Sequence, residues 1–371
     1  MGTRTPFYAV TLEGVDITPW ITSISLVEDD RQTDHVMLTI QDPRLLYADA
    51  LFEGSWAEID IGYAEAHQHA LMLRALITKV ELRYPQDGIP TLTLKGEDKS
   101  IEMGLTEKRK RWRDRTVTDI VKAVAAPYGF ERVEARLSRD PIPGRPIHQG
   151  GQTDLAFLQD LAETYHAKCF VELDEQGREV LYFIPERAII QLQRADTLVL
   201  RYRMGPTSNL FSFTPSFDSS YIDRLKEIND IDDRGQRIES SEQPSPDIFI
   251  WPLNPVRLAQ ANDRDRAQIQ QLYTQGVARK QDLQRQLTAR RVTAGEVAPN
   301  QGQIESTNDA LEARRLGMTA RGTTFGNIWL RAKSNVIVEG VSERFNGEWY
   351  VTNVTHKIDR GGYKTDFQCV R

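Results

Sequence analysis

Two regions in which apolar and polar residues alternate constrain the fold most, one near each end of the chain. Residues 6–98 contain six such segments, separated by turn residues: FYAVTL, ITSISLVED, HVMLTIQD, AEIDIGY, LMLRALITKVELRY and TLTLKGED. In HVMLTIQD, Val36, Leu38 and Ile40 share one face. A period of two predicts half-buried strands. Because no helical segment separates them, we expect a small barrel or sandwich rather than a parallel sheet.

The final segment, WYVTNVTHKIDRGGYKTDFQCVR, is interpreted as a β-hairpin. In its first strand, alternation places one set of side chains on one face, Tyr350, Thr352, Val354 and His356, and the other set opposite, Val351, Asn353, Thr355 and Lys357. The last strand places on one face Tyr363, Thr365, Phe367 and Cys369. Residues 359–362 form the turn, with Gly361 and Gly362 free to adopt positive φ. His356, Asp359 and Tyr363 straddle this turn, so a structural role is favoured over proton transfer.

The central region changes to a helical period. TVTDIVKAVAAPYGF predicts a helix capped by Thr116, with Asp119 three residues later. QTDLAFLQDLAETYHAKCFVE predicts a second helix, capped by Thr153, with a buried face of Leu155, Phe157, Leu158, Leu161 and Ala162. A hairpin with a DEQG turn follows at 168–184, and RDPIPGRPIHQGG (139–151) is interpreted as a linker. Together these segments indicate a small α+β unit over roughly residues 116–200.

Strand patterns return at 196–232, and a polar region follows at 235–308. Asn254 and Pro255 predict a helix start, and the sparse apolar residues up to Val292 indicate a helix that is exposed or covered by another chain. NDALEARRLG predicts a short helix ending at Gly317, and strands are expected in NIWLRA, NVIVEGVS and the final hairpin. The expected fold class is therefore α+β, mainly β.

Composition excludes several classes of protein. A formal charge of −6 over 371 residues argues against nucleic acid as the main partner. The sequence has no apolar run of the ~20 residues that span a bilayer and no signal-like N-terminal segment, so we expect cytoplasmic synthesis without membrane insertion. Cys169 and Cys369 are too few for a disulfide scaffold or a cysteine-based zinc site, and we expect buried thiols; the sequence leaves open whether they cross-link chains.

Two clusters of side chains are candidate sites. The basic run TEKRKRWRDR contains Lys108, Arg109, Lys110, Arg111, Arg113 and Arg115 beside Trp112. It could bind nucleic acid or form a solvated connection. His67 and His69, with Glu65 nearby, have spacing that could hold a metal, although an exposed loop is favoured. The sequence contains none of the common nucleotide-binding, hydrolase or zinc-protease motifs, and we expect no catalytic residue, cofactor or metal.

Three stretches, in the same order along the chain, resemble the late control gene D proteins of contractile-tailed phages, relatives of the T-even phage hub and of the N-terminal part of type VI secretion spike proteins. TVTDIVKAVAAPYGF resembles that family's Thr-Val-x-Asp-Ile-Val…Gly helix. The second stretch is similar in its Thr-Asp-Leu-x-Phe-Leu-x-x-Leu helix, matched by Thr153, Asp154, Leu155, Phe157, Leu158 and Leu161. The terminal hairpin is similar at Tyr350, Val351, Val354, His356, Gly361, Gly362, Tyr363, Thr365 and Phe367.

The resemblance implies two β-barrels of related topology, at 1–105 and at 196–234 with 318–371. They flank an α+β domain at 106–195, and a variable, largely helical insertion occupies 235–317. It implies a structural homotrimer of the virion baseplate, assembled in the cytoplasm, whose pseudo-sixfold ring joins the tail tube to the spike. The tape measure and baseplate wedge proteins are further expected partners, and DNA would only pass through the lumen. In this family context the six basic residues of TEKRKRWRDR could contact a neighbouring subunit. Spike and wall-degrading domains are expected on separate chains. The alternatives are a peptidoglycan hydrolase component and a DNA-binding tail factor.

Overall fold

Three apolar cores organise the protein. The computed structural model describes residues 5–65, 68–137, 140, 142, 146–165, 167–185, 188–189, 197–218, 226–231, 237–238, 250–286, 290–293 and 317–371. The first core is built mainly from residues 10–94, the second from 103–183 and the third from 200–369. The fold is mainly β with few helices, which confirms the expected class.

The N-terminal part is antiparallel throughout. Its strands are β1 (Pro6–Leu12), β2 (Val15–Asp16), β3 (Ile21–Asp29), β4 (His35–Gln41), β5 (Trp56–Tyr63), β6 (Gln68–Arg83) and β7 (Thr91–Glu97). They are hydrogen-bonded in the order β3-β4-β7-β6-β5-β1-β2. The six strands expected from alternation are confirmed, and Val36, Leu38 and Ile40 are fully buried in the first core. Short 3₁₀ helices at Thr18–Trp20 and Lys99–Gly104 accompany these strands.

The central unit packs two helices against two small sheets. Its elements are β8 (Glu107–Trp112), α1 (Val117–Ala125), a 3₁₀ helix (Ala126–Tyr128), β9 (Arg132–Ala135), β10 (Ile147–Thr153), α2 (Asp154–Thr164), β11 (Ala167–Leu173) and β12 (Glu179–Pro185). The predicted caps are confirmed, because the Thr116 and Thr153 hydroxyl oxygens each accept an N–H bond at 3.2 Å. The linker prediction for 139–151 is wrong at its end, where β10 pairs with β8.

The C-terminal part contains the remaining elements. They are β13 (Leu198–Arg201), a 3₁₀ helix (Gly205–Thr207), β14 (Leu210–Phe217), β15 (Lys226–Ile231), β16 (Arg237–Ile238), α3 (Pro255–Ala259), α4 (Asp263–Gln286), β17 (Arg290–Thr293), β18 (Met318–Phe325), β19 (Ser334–Glu339), β20 (Gly347–Asp359) and β21 (Gly362–Val370). Strands β15, β16 and β17 form a separate three-stranded sheet.

Strand β20 joins the two large β parts into one sheet of 13 strands. Its first half pairs with β19, its second half pairs with β3, and β21 lies along its other side. The order β14-β18-β21-β20-β3 continues into the N-terminal strands. Among the described strands the pairing is an open path, so the mainly-β class is confirmed but closed barrels are not.

The polar helix is shorter than expected. Asn254 caps α3 by accepting N–H bonds from Val256 and Arg257, as predicted. However, Asn262 starts a second helix by accepting a hydrogen bond from the N–H of Asp265 at 2.9 Å, so the helix is interrupted between α3 and α4. The prediction of one helix to Val292 is therefore wrong, and residues 290–293 form β17. The helix expected in NDALEARRLG lies outside the described residues, apart from Gly317.

Strict alternation fails in the terminal hairpin. A β-bulge between Val351 and Asn353 shifts the register, and Trp349, Tyr350 and Val351 are consecutively buried. The prediction that Val351 and Val354 lie on opposite faces is wrong, because the extra residue of the bulge lets both side chains enter the third core. The β21 face is confirmed. Gly362 has φ 106°, as expected, whereas Gly361 does not adopt positive φ.

The predicted strand NIWLRA is a loop. The Asn327 side chain accepts from the N–H of Trp329 at 2.9 Å, and this local bond turns the chain out of an extended path. The loop ends at Lys333, whose N–H donates to the Val351 carbonyl at 2.8 Å. It therefore crosses from β18 to β19 over the region where the three cores meet.

We expect Gly326→Ala to destabilise the protein by about 1–3 kcal/mol, because overpacking a core costs that amount. A Cβ at residue 326 would lie 2.0 Å from Cγ of Tyr363, the fixed base of the ring. Gly276→Ala, in the exposed helix α4 with open space around it, is the matched control and should stabilise by about 0.5–1 kcal/mol. Urea unfolding of both variants measures this; equal stabilities would contradict it.

Candidate functional site

A buried group of charges lies where the three cores meet, and we call it the junction cluster. Its members are Glu28, Asp34, Asp98, Glu172, Arg331 and Lys333. Glu28 comes from β3, Asp34 and Asp98 flank β4 and β7, and Glu172 comes from β11. The two cations come from the loop between β18 and β19. Each part of the chain therefore contributes a charge.

The two cations bridge all three parts of the chain. Arg331 Nε lies 2.5 Å from Glu28 Oε1, and its terminal nitrogen Nη2 lies 2.8 Å from Glu172 Oε2. Lys333 Nζ lies 3.3 Å from Asp34 Oδ2 and 3.2 Å from Glu172 Oε1. Because Glu172 binds both cations, it fixes the central unit to the C-terminal loop. The same two cations bind Glu28 and Asp34, which adds the N-terminal part to the network.

The neighbouring backbone completes the network. The Asp98 carboxylate accepts from the N–H groups of Asp34 at 2.8 Å and of Ser100 at 2.6 Å. Glu28 Oε2 accepts from the N–H of Ala332 at 3.1 Å. Lys333 has φ 63°, a left-handed conformation that costs a non-glycine residue about 1–2 kcal/mol. The ion pairs hold the lysine in this conformation.

Burial controls the ionisation of the cluster. The side chains of Glu28 and Lys333 are each only 2% exposed. Burial raises the pKa of Glu28, raises that of Asp34 well above its usual range, and raises the pKa of Asp98 to about 6. Burial opposes ionisation of Glu172 as well, but Arg331 and Lys333 outweigh it and lower its pKa.

The carboxylates in turn keep the two cations charged. Burial alone would lower the pKa of Lys333, but Asp34 and Glu172 hold it above its ordinary value. The same balance, with Glu28 and Glu172 as partners, raises the pKa of Arg331. Four carboxyl groups face only two cations. The raised pKa values of Glu28 and Asp34 therefore reflect this excess of negative charge as well as burial.

His356 lies close to this cluster, on β20. It is fully buried, and the hydroxyl oxygens of Tyr363 and Thr365 lie 2.8 Å and 3.2 Å from its Nδ1. Burial, assisted by the positive charge of Arg331, lowers the pKa of His356 to about 3. Asp359 is exposed and its carboxylate accepts from the N–H of Gly361, so it does not join His356. His356 and Tyr363 therefore pack in the interior, apart from Asp359.

Asp154, in the second family-like stretch, organises the central unit. It is 2% exposed and receives bonds from Lys108 Nζ at 2.5 Å, Tyr128 Oη at 2.7 Å and Gln149 Nε2 at 2.7 Å. Other members of this stretch, Phe157, Leu158 and Leu161, lie in the second core, and Leu155 packs against it. The motif thus joins the start of α2 to β8 and β10.

The remaining basic residues point elsewhere. Arg109, Lys110, Arg111, Arg113 and Arg115 are exposed, while Lys108 is engaged by Asp154 inside the chain. Lys110 and Arg115 lie over the Trp112 ring at 5.4 and 6.0 Å. The subunit contact suggested for all six residues stays a prediction.

The histidine pair does not assemble a metal site in the described part of the chain. His69 Nδ1 lies 2.9 Å from Asp60 Oδ2, and Glu65 accepts from the N–H of Thr5. His67 lies outside the described residues. Where side chains are described, no three potential ligands come together. Cys169 and Cys369 are free thiols, and burial raises the pKa of Cys169 to about 12.

Sequence reasoning missed the junction cluster. One signal was present: Glu28 continues the inward face of Ile24 and Leu26 along β3, a position where a charge must be paired. Nothing in the sequence indicated that its partner would come from residue 331. The space beside the cluster, lined by Asp34, Asp98, Cys169 and Phe170 among others, has a volume of about 10 Å³, which is room for about one water. The cluster can hold parts together but cannot admit a substrate.

The fold is shared by tail proteins of several bacteria. A tail protein from Neisseria meningitidis MC58 matches with a TM-score of 0.64 and 15% identity, over 98% of this chain and 96% of that one. The 43 kDa tail protein of prophage MuSo2 from Shewanella oneidensis matches with a TM-score of 0.61 and 13% identity, over 99% and 98%. An Escherichia coli component of the type VI secretion system matches with a TM-score of 0.60 and 11% identity, over 97% and 76%.

These likenesses define a fold used by tail proteins. The chain belongs to the phage tail baseplate hub (GPD) family, whose model matches residues 54–362. It is accordingly a structural protein rather than an enzyme, as the sequence analysis expected. No protein of curated function matches the sequence significantly. In the described part of the chain, no helix has the length and apolar character needed to cross a bilayer.

We expect Lys333→Met to destabilise the protein by about 3–5 kcal/mol, because removing one partner leaves buried charge uncompensated. Asp34 would lose its cation, and Glu172 would keep only Arg331. Lys79→Met, which breaks an exposed pair with Glu81 at 3.0 Å, is the matched control and should change stability little. Chemical denaturation measures both variants. A loss for Lys333→Met no larger than that of the control would show that the cluster is not stabilising.

His356 should make stability fall on acidification. The pKa of His356 is about 3 in the folded chain and 6.5 in the unfolded one. The unfolded chain therefore binds the extra proton between these values, and going from about pH 7 to about pH 5 should cost about 2 kcal/mol. His356→Asn should lose this part of the pH dependence of the unfolding free energy. The carboxyl groups titrate in both the wild type and the variant, so their contribution cancels when the two profiles are subtracted. His148→Asn, at an exposed histidine, is the control; parallel pH profiles for wild type and His356→Asn would refute the assignment.

Proposed function

We propose that the protein is a trimeric baseplate hub that joins a sixfold tail tube to a threefold spike in a phage tail or a related injection particle. The observation that carries the proposal is the division of one continuous sheet into two β parts, each with its own core. Three such chains would present six β parts around an axis while keeping threefold symmetry. Membership of the baseplate hub family supports the role.

The division into domains follows the cores. We propose the first β domain at 1–105, the α+β domain at 106–195, and the second β domain at 196–234 with 318–371, with 235–317 as an insertion. Each β domain would act as a barrel-like unit in the ring. The pairing of β3 with β20 supports this arrangement, because it makes the two units of one chain move as one body.

A rigid connection suits a part that carries load. During contraction a hub passes force between the tube and the spike, and relative movement of its units would misalign the ring. The junction cluster links the three parts through buried ion pairs, and the shared strand β20 links two of them through backbone bonds. Both kinds of connection resist sliding and rotation.

Exposed apolar residues support contacts with other chains. On the loop after β4, Leu46 and Phe52 are 59% and 62% exposed. Asp42 fixes this loop by accepting from the N–H groups of Leu46, Tyr47 and Ala48 at 2.8–3.0 Å. A rigid loop that presents large apolar side chains is typical of an interface. We place subunit or tube contacts here, and expect the subunit interfaces to bury well over ~2,000 Å² in total.

The proposed partners are the tail tube and spike proteins, with the tape measure and baseplate wedge proteins as further neighbours. Assembly would take place in the bacterial cytoplasm and the finished protein would reside in the virion tail. Some similar structures are complexes with another protein, including the PdpA–VgrG complex of Francisella. For this chain a spike contact remains our proposal.

We expect the purified protein to have three times the chain mass by light scattering, or to form a three-to-three complex when its spike protein is added. The measurement is repeated across a range of protein concentrations, since a weak trimer dissociates on dilution. A bovine serum albumin sample of similar concentration controls for non-specific association. A monomer that ignores the spike protein would refute the trimeric adaptor.

A further inference from the structure

The ribbon formed by β8 and β10 has a basic outer face. Lys108 and Trp112 point inward, since Lys108 binds Asp154 and Trp112 packs against the second core. Alternation then places Arg109 and Arg111 on the outer face, and both are exposed. In the sequence the run is one continuous basic segment. The structure divides it into an inner, engaged set and an outer set.

The opposing strand leaves the outer face open. His148 lies opposite Arg111 and is exposed, whereas Gly150 lies opposite Arg109 and has no side chain to cover it. Arg113 continues the exposed series beyond the strand. In the described part of the protein, Arg109, Arg111 and Arg113 form no ion pair with a carboxylate.

This charge is unusual for the chain that carries it. Residues 107–115 contain six basic and two acidic residues, although the whole chain has a net charge of −6. Cations this close repel one another unless counter-charges approach. The ribbon therefore favours an anionic partner that the described part of the chain does not supply.

The backbone of β8 offers a place for that partner. Among the described strands, β8 pairs only with β10, so its second edge keeps unpaired N–H and C=O groups. A strand added to such an edge gains backbone hydrogen bonds, and its side chains lie directly across from those of β8. Carboxylates at alternating positions would then face Arg109 and Arg111.

We propose that β8 binds an extended segment of a different protein, with carboxylates at alternating positions, as a third strand of this ribbon. A second copy of this chain fits less well, because none of its other described edge strands has two carboxylates at alternating positions. These edge strands are β2, β9, β10, β11, β13, β14, β16 and β17. The proposal does not depend on the trimer.

The basic side chains also explain why this edge would be selective. Charged residues on an edge strand discourage pairing with neutral or basic strands. The same charges favour an acidic strand, so one set of residues excludes wrong partners and attracts the right one. A single lysine would be enough to exclude neutral or basic strands. The row of arginines adds bidentate hydrogen bonds to carboxylates.

The test uses the full-length protein and a fluorescein-labelled peptide in which glutamate alternates with valine. We expect the peptide to bind at low salt, as measured by fluorescence anisotropy. The double variant Arg109→Glu/Arg111→Glu should weaken binding by about 100-fold, since two charge-assisted contacts are replaced by repulsion. The matched control Arg83→Glu/Arg279→Glu reverses two exposed arginines elsewhere and should leave the affinity unchanged.

Two further probes separate the proposal from its rivals. A peptide of the same sequence, N-methylated at alternate amides, keeps its charge but cannot pair with an edge, and should bind at least about tenfold more weakly. This arm needs no protein variant. Absence of peptide binding, or equal binding of the methylated peptide, would overturn strand addition. Tighter, arginine-dependent binding of oligothymidylate would instead identify a nucleic-acid surface. Arginine-dependent self-association in light scattering would identify a second copy.

Discussion

The buried ion pairs of the junction cluster connect all three parts of the protein. Arg331 and Lys333 lie on a loop between two strands of the C-terminal part, yet their partners belong to the N-terminal sheet and the central unit. Buried ion pairs contribute little net stability compared with apolar packing, but they are intolerant of misplacement, because an unpaired buried charge is costly. They therefore specify how the three parts are oriented more than they strengthen the whole.

The terminal hairpin serves the same end by a different means. Val354 and Phe367 lie in the third core, whereas Ile358 and Tyr363 lie in the first, so one hairpin is shared between two cores. His356 sits between these pairs, neutral and fully buried. A hairpin that satisfies two cores cannot shift its register without disrupting both. This makes the connection between the β parts stiff, as a load-bearing hub requires.

Polar contacts both fix the central unit to its neighbours and order it internally. Glu172 pairs with Lys333 of the C-terminal part, and Lys168 pairs with Asp30 of the N-terminal part. Within the unit, Asp154 ties the start of α2 to Lys108, while the arginines of the same strand stay exposed. One basic segment thus has two roles, because alternation along a strand sends neighbouring side chains to opposite faces. The family-like stretches are mostly structural in this sense.

The amino-acid sequence alone predicts the local elements: the six N-terminal strands, the helices capped by Thr116 and Thr153, and the terminal hairpin. These depend on periodicity, caps and turns, which act over a few residues. Long-range packing, by contrast, sets the bulge at Thr352, the loop that replaces the expected strand at NIWLRA, and the pairing of β3 with β20. It also brought Glu28 to Arg331, some three hundred residues apart in sequence. Contacts over such separations depend on how whole sheets pack, and no local pattern encodes them.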